Sequence, residues 1–94
     1  MVTHVVLWKF RPGTESEQER FLNGLRGLVG VVKEIKTQEI HTSAVKDSEY
    51  DAMLLCTFDS MEDLARYRVD PRHVAVADIC KAIRVTRSAF DYES

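Results

Sequence analysis

Residues at the start of the chain divide between the two faces of a strand, with apolar positions on each. Val5 and Leu7 share one face with Thr3 and Lys9, and His4, Val6, Trp8 and Phe10 share the other. The spacing predicts a strand over 2–10, apolar on both sides, ended by Pro12-Gly13. Over 15–29 the period becomes helical: Phe21, Leu22, Leu25, Leu28 and Val29 form one stripe. Thr14 with Glu17 is a capping-box signal at its start. Gly24, Gly27 and Gly30 weaken the helix and suggest close approach to a sheet.

Residues 33–45 alternate weakly and predict a long, irregular, polar strand. A turn at 46–49 leads to YDAMLLCTF over 50–58. There Ala52, Leu54, Cys56 and Phe58 oppose Met53 and Leu55, the clearest buried strand of the chain. Ser60 then caps a helix running through Leu64, Ala65 and Tyr67. Asp70-Pro71 ends that helix and starts another, because Asp is a preferred N-cap and Pro a preferred first helical residue. The second helix runs to about Ile83, and a last strand covers 85–92.

The order is β-α-β-β-α-β, the ferredoxin-like pattern in the α+β class, with a four-stranded antiparallel sheet and helices on one face. One such sheet buries one face, yet the first and third strands are apolar on both. A second copy of the chain is the simplest cover for the other face, so a homodimer with facing sheets is expected.

Length agrees with one domain spanning 1–94. The balance of 13 Lys+Arg against 15 Asp+Glu leaves a net charge of −2, no basic field for nucleic acid. The opening apolar run is too short for an export signal or a membrane span, and a cytoplasmic protein is expected. Cys56 and Cys80 lie inside apolar patterns and read as reduced, packed thiols. No nucleophile elbow, phosphate loop, dinucleotide fingerprint or metal-ligand cluster is present, so no cofactor and no metal are expected.

Three histidines are candidates for chemistry. His73, third in the last helix, shares the apolar face of Val76, Ala77, Cys80 and Ile83 and should point toward the sheet. A neutral, half-buried imidazole there suits a general base; the alternative is a packed histidine bonded to a backbone carbonyl. Tyr67, six residues earlier, could converge with it across the Asp70-Pro71 break and donate to an oxyanion. His4 approaches His73 if its strand face meets the helices, and lies in the dimer interface if that face meets the partner. His41 is expected to be exposed or at the dimer rim. Asp51 and Asp91 read as strand-edge residues satisfying backbone or partner groups. Arg66, Arg68, Arg72, Arg84 and Arg87 read as a solvated surface.

The opening HVVLWKF, the YDAMLLCTF strand with its Ser60-capped helix, the stretch YRVDPRHVAV and the closing FDY resemble the stress-responsive dimeric α/β-barrel (Dabb) family over nearly the whole chain. The resemblance implies a homodimeric barrel and a pocket between sheet and helices for a small hydrophobic or polyketide-like ligand. In plant polyketide cyclases of this fold, a tyrosine and a histidine at this spacing serve a cofactor-free aldol cyclisation. Those roles would fall on Tyr67 as oxyanion donor and His73 as base. His4 would correspond to the first strand's histidine, and Leu22 and Leu25 to the pocket-lining positions of the first helix; Trp8 is expected to line the same pocket. Asp70 stands where the family commonly has histidine, and Ala52 where the cyclases place another.

Three functions compete: a pocket protein of unassigned activity, a cofactor-free cyclase or isomerase, and a non-enzymatic stress-associated structural protein. By analogy of fold alone, a cofactor-independent monooxygenase is a variant of the second.

Overall fold

The computed structural model describes residues 1–94. Its elements are β1 (Val2–Phe10), α1 (Glu15–Arg26), β2 (Thr37–Thr42), β3 (Ala52–Phe58), α2 (Met61–Val69), α3 (Pro71–Ile83) and β4 (Arg84–Glu93). The four strands form one antiparallel sheet in the order β2-β3-β1-β4. This is the ferredoxin-like arrangement. No helix is long and apolar enough to cross a membrane.

Alternation decides which side of the sheet is the core. His4, Val6, Trp8 and Phe10 of β1 are buried, as are Ala52, Leu54, Cys56 and Phe58 of β3. Both sets face the helices, joined there by Phe21, Leu22 and Leu25 of α1, Leu64 and Tyr67 of α2, and Cys80 and Ile83 of α3. Aromatic rings fill the end of this layer: Trp8 meets Phe21 edge-on at 5.0 Å between centroids. His4 therefore belongs to the helix side, which resolves the choice left open by the two-faced pattern of β1.

The opposite face carries the remaining apolar residues. Val5 sits between Leu55 of β3 and Phe90 of β4, and Leu7 lies beside Met53. Val5, Leu7, Met53 and Leu55 are half-buried, while Phe90 is 68% exposed.

Two predicted elements are shorter than their spacing suggests. The first helix stops at Arg26, not 29, with Gly27 at its C-cap and Gly30 at φ +81° turning the chain away. Leu28, Val32 and Ile35 remain buried, so the apolar stripe continues as a loop that plugs the core. β2 covers only 37–42 and holds no fully buried residue. Its polar sequence supports a ladder only where β3 supplies partners. Thr14 makes no capping bond to the α1 backbone; its hydroxyl donates to the Arg11 carbonyl at 2.6 Å instead.

The α2–α3 boundary follows its predicted chemistry. Ser60 accepts the Asp63 N–H at 3.1 Å, and Asp70 accepts the Arg72 N–H at 2.9 Å. Asp70 is extended at φ −61°, ψ 127°, and Pro71 opens α3. Gly24 of α1 sits where an added Cβ would lie 3.0 Å from Val76 Cγ1, so the α1–α3 contact is close because the residue has no side chain.

Candidate functional site

A cavity of about 480 Å³ lies between β1, β4 and the helices. Its floor is made of buried side chains, among them His4, Trp8, Phe21, Leu25, Leu54 and Tyr67. Its rim is made of more exposed ones, including Val74, Lys81, Arg84 and Arg87. The volume and the apolar floor, with basic and imidazole groups around it, fall within the range of small-molecule sites.

Tyr67 and His73 meet in this cavity. Their ring centroids are 4.1 Å apart, with planes inclined by 35°. Phe58 packs on the tyrosine ring from the sheet at 5.1 Å. The Tyr67 hydroxyl is buried and has no hydrogen-bond partner, the one such side-chain atom in the chain. An unpartnered buried hydroxyl costs roughly 1–3 kcal/mol, so the fold carries this group at a cost. Burial pushes the phenol well above its ordinary value, opposed by the charge of Arg87. Tyr67 therefore keeps its proton at neutral pH and can act as a hydrogen-bond donor.

His73 Nδ1 lies 3.3 Å from the Arg68 carbonyl and donates to it, since a carbonyl only accepts. That leaves Nε2 with a free lone pair. Burial first, and then the nearby His4 and Arg87, pull its pKa down, against the raising effects of the Arg68 carbonyl and Asp70. The imidazole is neutral at pH 7, as a general base must be. The packed histidine bonded to a carbonyl and the candidate base are thus the same residue, using different nitrogens.

His4 is 3% exposed and stands edge-on to Tyr67 at 6.3 Å. Its Nδ1–H donates to Asp91 on the neighbouring strand β4. Burial lowers its pKa more than Asp91 raises it. The other oxygen of Asp91 takes Arg68 Nη2 at 2.5 Å. Arg68 thereby ties the two histidines together, holding His4 through Asp91 and His73 through its own carbonyl. A carboxylate that orients a histidine fixes its tautomer.

Of the residues singled out in the sequence, Tyr67, His73, His4, Trp8 and Leu25 are brought to the cavity. Leu22 is not. It is buried in the core, and Phe21 lines the cavity in its place because Phe21 and Leu25, four residues apart, share a helix face. Asp91 was expected to satisfy backbone or partner groups and instead anchors His4 and Arg68. Asp51 does serve the backbone, accepting the Phe10 N–H at 2.8 Å. Arg68, Arg84 and Arg87, read from sequence as a solvated surface, line the cavity. Cys80 also lines it, but burial pushes its thiol up to about 11, so it is no nucleophile at neutral pH. No group of three or more His, Cys, Asp or Glu residues is placed to hold a metal ion.

This fold is that of a known family. Residues 2–94 match the stress responsive A/B barrel domain, and the chain belongs to that family. It is 27% identical over 95 residues to olivetolic acid cyclase from Cannabis sativa, covering 97% of this chain and 94% of the relative. A dimeric ferredoxin-like protein of unknown function from Bacteroides fragilis superposes with a TM-score of 0.85 at 26% identity, over 99% of this chain and 95% of the other. A hydroxynitrile lyase from Passiflora edulis, 14% identical, shares the fold with a TM-score of 0.85 over 97% of this chain and 90% of its own.

Proposed function

We propose that the chain is a cofactor-free proton-transfer enzyme acting on an activated carbonyl compound in this cavity, with cyclisation of a poly-β-ketone as the reaction that fits best. The carrying observation is the unpartnered Tyr67 hydroxyl beside the neutral ring of His73. His73 Nε2 takes the acidic proton from a carbon flanked by two carbonyls. The Tyr67 O–H donates to the enolate oxygen that forms. The enolate carbon then attacks a second carbonyl of the same molecule, one C–C bond forms, and the resulting alkoxide takes back the proton held by His73; loss of one water from that alcohol and enolisation of the ring ketones give the aromatic ring. Atoms and charge balance without a redox partner. The likeness to a cyclase at 27% identity supports the same class of chemistry.

The chain is read as a homodimer. The half-buried Val5, Leu7, Met53 and Leu55 with the exposed Phe90 form an apolar outer face, and a related ferredoxin-like protein at 26% identity is dimeric.

A linear 3,5,7-triketone with a C1 ester and an alkyl tail tests the activity, because its C2 is flanked by two carbonyls and closure on C7 followed by loss of water yields an aromatic ring seen by absorbance. Wild type accelerates the reaction above buffer, and His73→Ala lowers kcat/KM on the order of 10²-fold or more. Binding of the triketone without turnover would leave a ligand-binding protein and overturn the enzyme reading.

A further inference from the structure

The cations of the cavity rim have a pattern that the proton-transfer chemistry does not use. Arg68, Lys81, Arg84 and Arg87 line the cavity, and no Asp or Glu does. The chain as a whole is net negative at −2, so this concentration of positive charge runs against its average. Arg68 is spoken for by Asp91 at 2.5 Å, and Lys81 lies 3.6 Å from Asp78. Arg84 and Arg87 have no carboxylate partner.

Strand register brings those two together. Arg87 pairs with Trp8 and so shares its helix-facing side. Strict alternation would send Arg84 to the other face. The register shift between Lys9 and Phe10 sets Arg84, not Val85, opposite Phe10, and both guanidinium groups reach the cavity. Arg84 and Arg68 crowd Arg87 with like charge, and Arg87 in turn acts on Tyr67, His4 and His73. Two unpaired guanidiniums at the rim of an apolar floor call for an anion on an apolar body.

We infer that the ligand of this cavity is an anionic amphiphile, its carboxylate or phosphate head held by Arg84 and Arg87 and its apolar body on Trp8, Phe21, Leu25 and Leu54. This names the substrate class of the site proposed above and rests on the cavity being the ligand site, not on His73 being a base. The arrangement places the reactive carbons inward beside Tyr67 and His73 and leaves the charged end at the rim.

Trp8 is the single tryptophan of the chain and lies on the cavity floor, so its fluorescence reports occupancy. Titration with octanoate, octyl phosphate and octanamide separates head from tail. At least one anion binds about tenfold or more tighter than the amide, and about 0.5 M NaCl shrinks the preference. The double variant Arg84→Gln/Arg87→Gln brings the anion down to the amide's affinity and leaves the amide within about twofold. Tighter octanoate assigns a carboxylate head, and tighter octyl phosphate a phosphate head. Equal affinity of anions and amide, a preference that survives the double substitution, or no response of Trp8 to any of the three would overturn the inference. The preference persists in His73→Ala, so a wild type that selects anions yet cyclises no triketone sinks the enzyme reading alone.

Discussion

Tyr67 and His73 lie ring against ring at 4.1 Å although they belong to different helices. The tyrosine comes from the last turn of α2 and the histidine from the first turn of α3. One contributes a buried hydroxyl without a partner and the other a nitrogen without a proton. Both residues line the same cavity, and a ligand with an acidic C–H next to a carbonyl would satisfy both deficits.

That arrangement makes Tyr67→Phe a test of function against stability. The substitution keeps the ring packed on Phe58 and His73 and removes only the orphaned hydroxyl. Stability should rise, by roughly 1 kcal/mol in denaturant melts, because an unsatisfied buried group is removed. Turnover should fall on the order of 10²-fold, the worth of one oxyanion donor. A loss of stability would show that the hydroxyl has a partner in the folded protein.

The histidines set the pH response. His4 and His73 both titrate below the ordinary value of 6.5 in the folded chain, chiefly through burial. Between the folded and unfolded values the unfolded chain binds protons that the native one does not. Stability is therefore complete above 6.5 and falls as pH drops through that value toward the depressed ones. Thermal melts between about pH 7 and about pH 5 should show the decline, and His4→Gln/His73→Gln should flatten it. The acid limb of kcat/KM should likewise lie below 6.5, reporting His73 in the free enzyme. An acid limb above 6.5 contradicts the assignment.

The outer face can be tested by a single charge. Leu55 pairs with Val5 near the middle of the sheet, where a like residue of a second copy would meet it. Leu55→Lys should convert the proposed dimer to monomer in light scattering at micromolar concentration while leaving the far-ultraviolet circular dichroism unchanged. Wild type that runs as a monomer contradicts the dimer outright.

Gly24 tests the packing of α1 on α3. Alanine in a helix interior is worth up to about 1 kcal/mol over glycine. Here its Cβ would press on Val76 at 3.0 Å. Gly24→Ala alone should therefore bring no gain in Tm, whereas the same change in a Val76→Ala background should raise it. A clear gain in the single variant would show that Val76 gives way freely.

Much of this architecture is legible in the chain because alternation and capping are local signals. The strands β1 and β3, the Ser60 cap and the Asp70-Pro71 break all appear where spacing and residue type place them. Two helix and strand lengths were overestimated where tertiary demands ruled: Leu28 and Val32 are buried from a loop, not from a helix. The site is legible as far as Tyr67 and His73, which lie near one another in sequence. The roles of Asp91, Arg84 and Arg87 depend on how β4 pairs with β1, including a register shift that reverses the parity of one arginine. Phe21 and Leu22 are neighbours on an apolar stripe, and only the placement of α3 decides which of them faces the cavity. Residue spacing along one strand or helix carries neither kind of information.

The Asp70-Pro71 break carries a consequence of its own. In an unbroken helix, residues six apart are separated by about 9 Å along the axis and about 120° around it, too far and too divergent to touch. The break folds that distance away, so an N-cap and a proline with no chemistry of their own decide that the rings of Tyr67 and His73 meet at one cavity. Reactivity in such a protein is then a matter of punctuation as much as vocabulary. Relatives that keep both the tyrosine and the histidine but shift the proline by one position would rotate the histidine by about 100° and lose the pairing. Inventories of side chains would rank them as equals, and the length of the interruption would tell them apart.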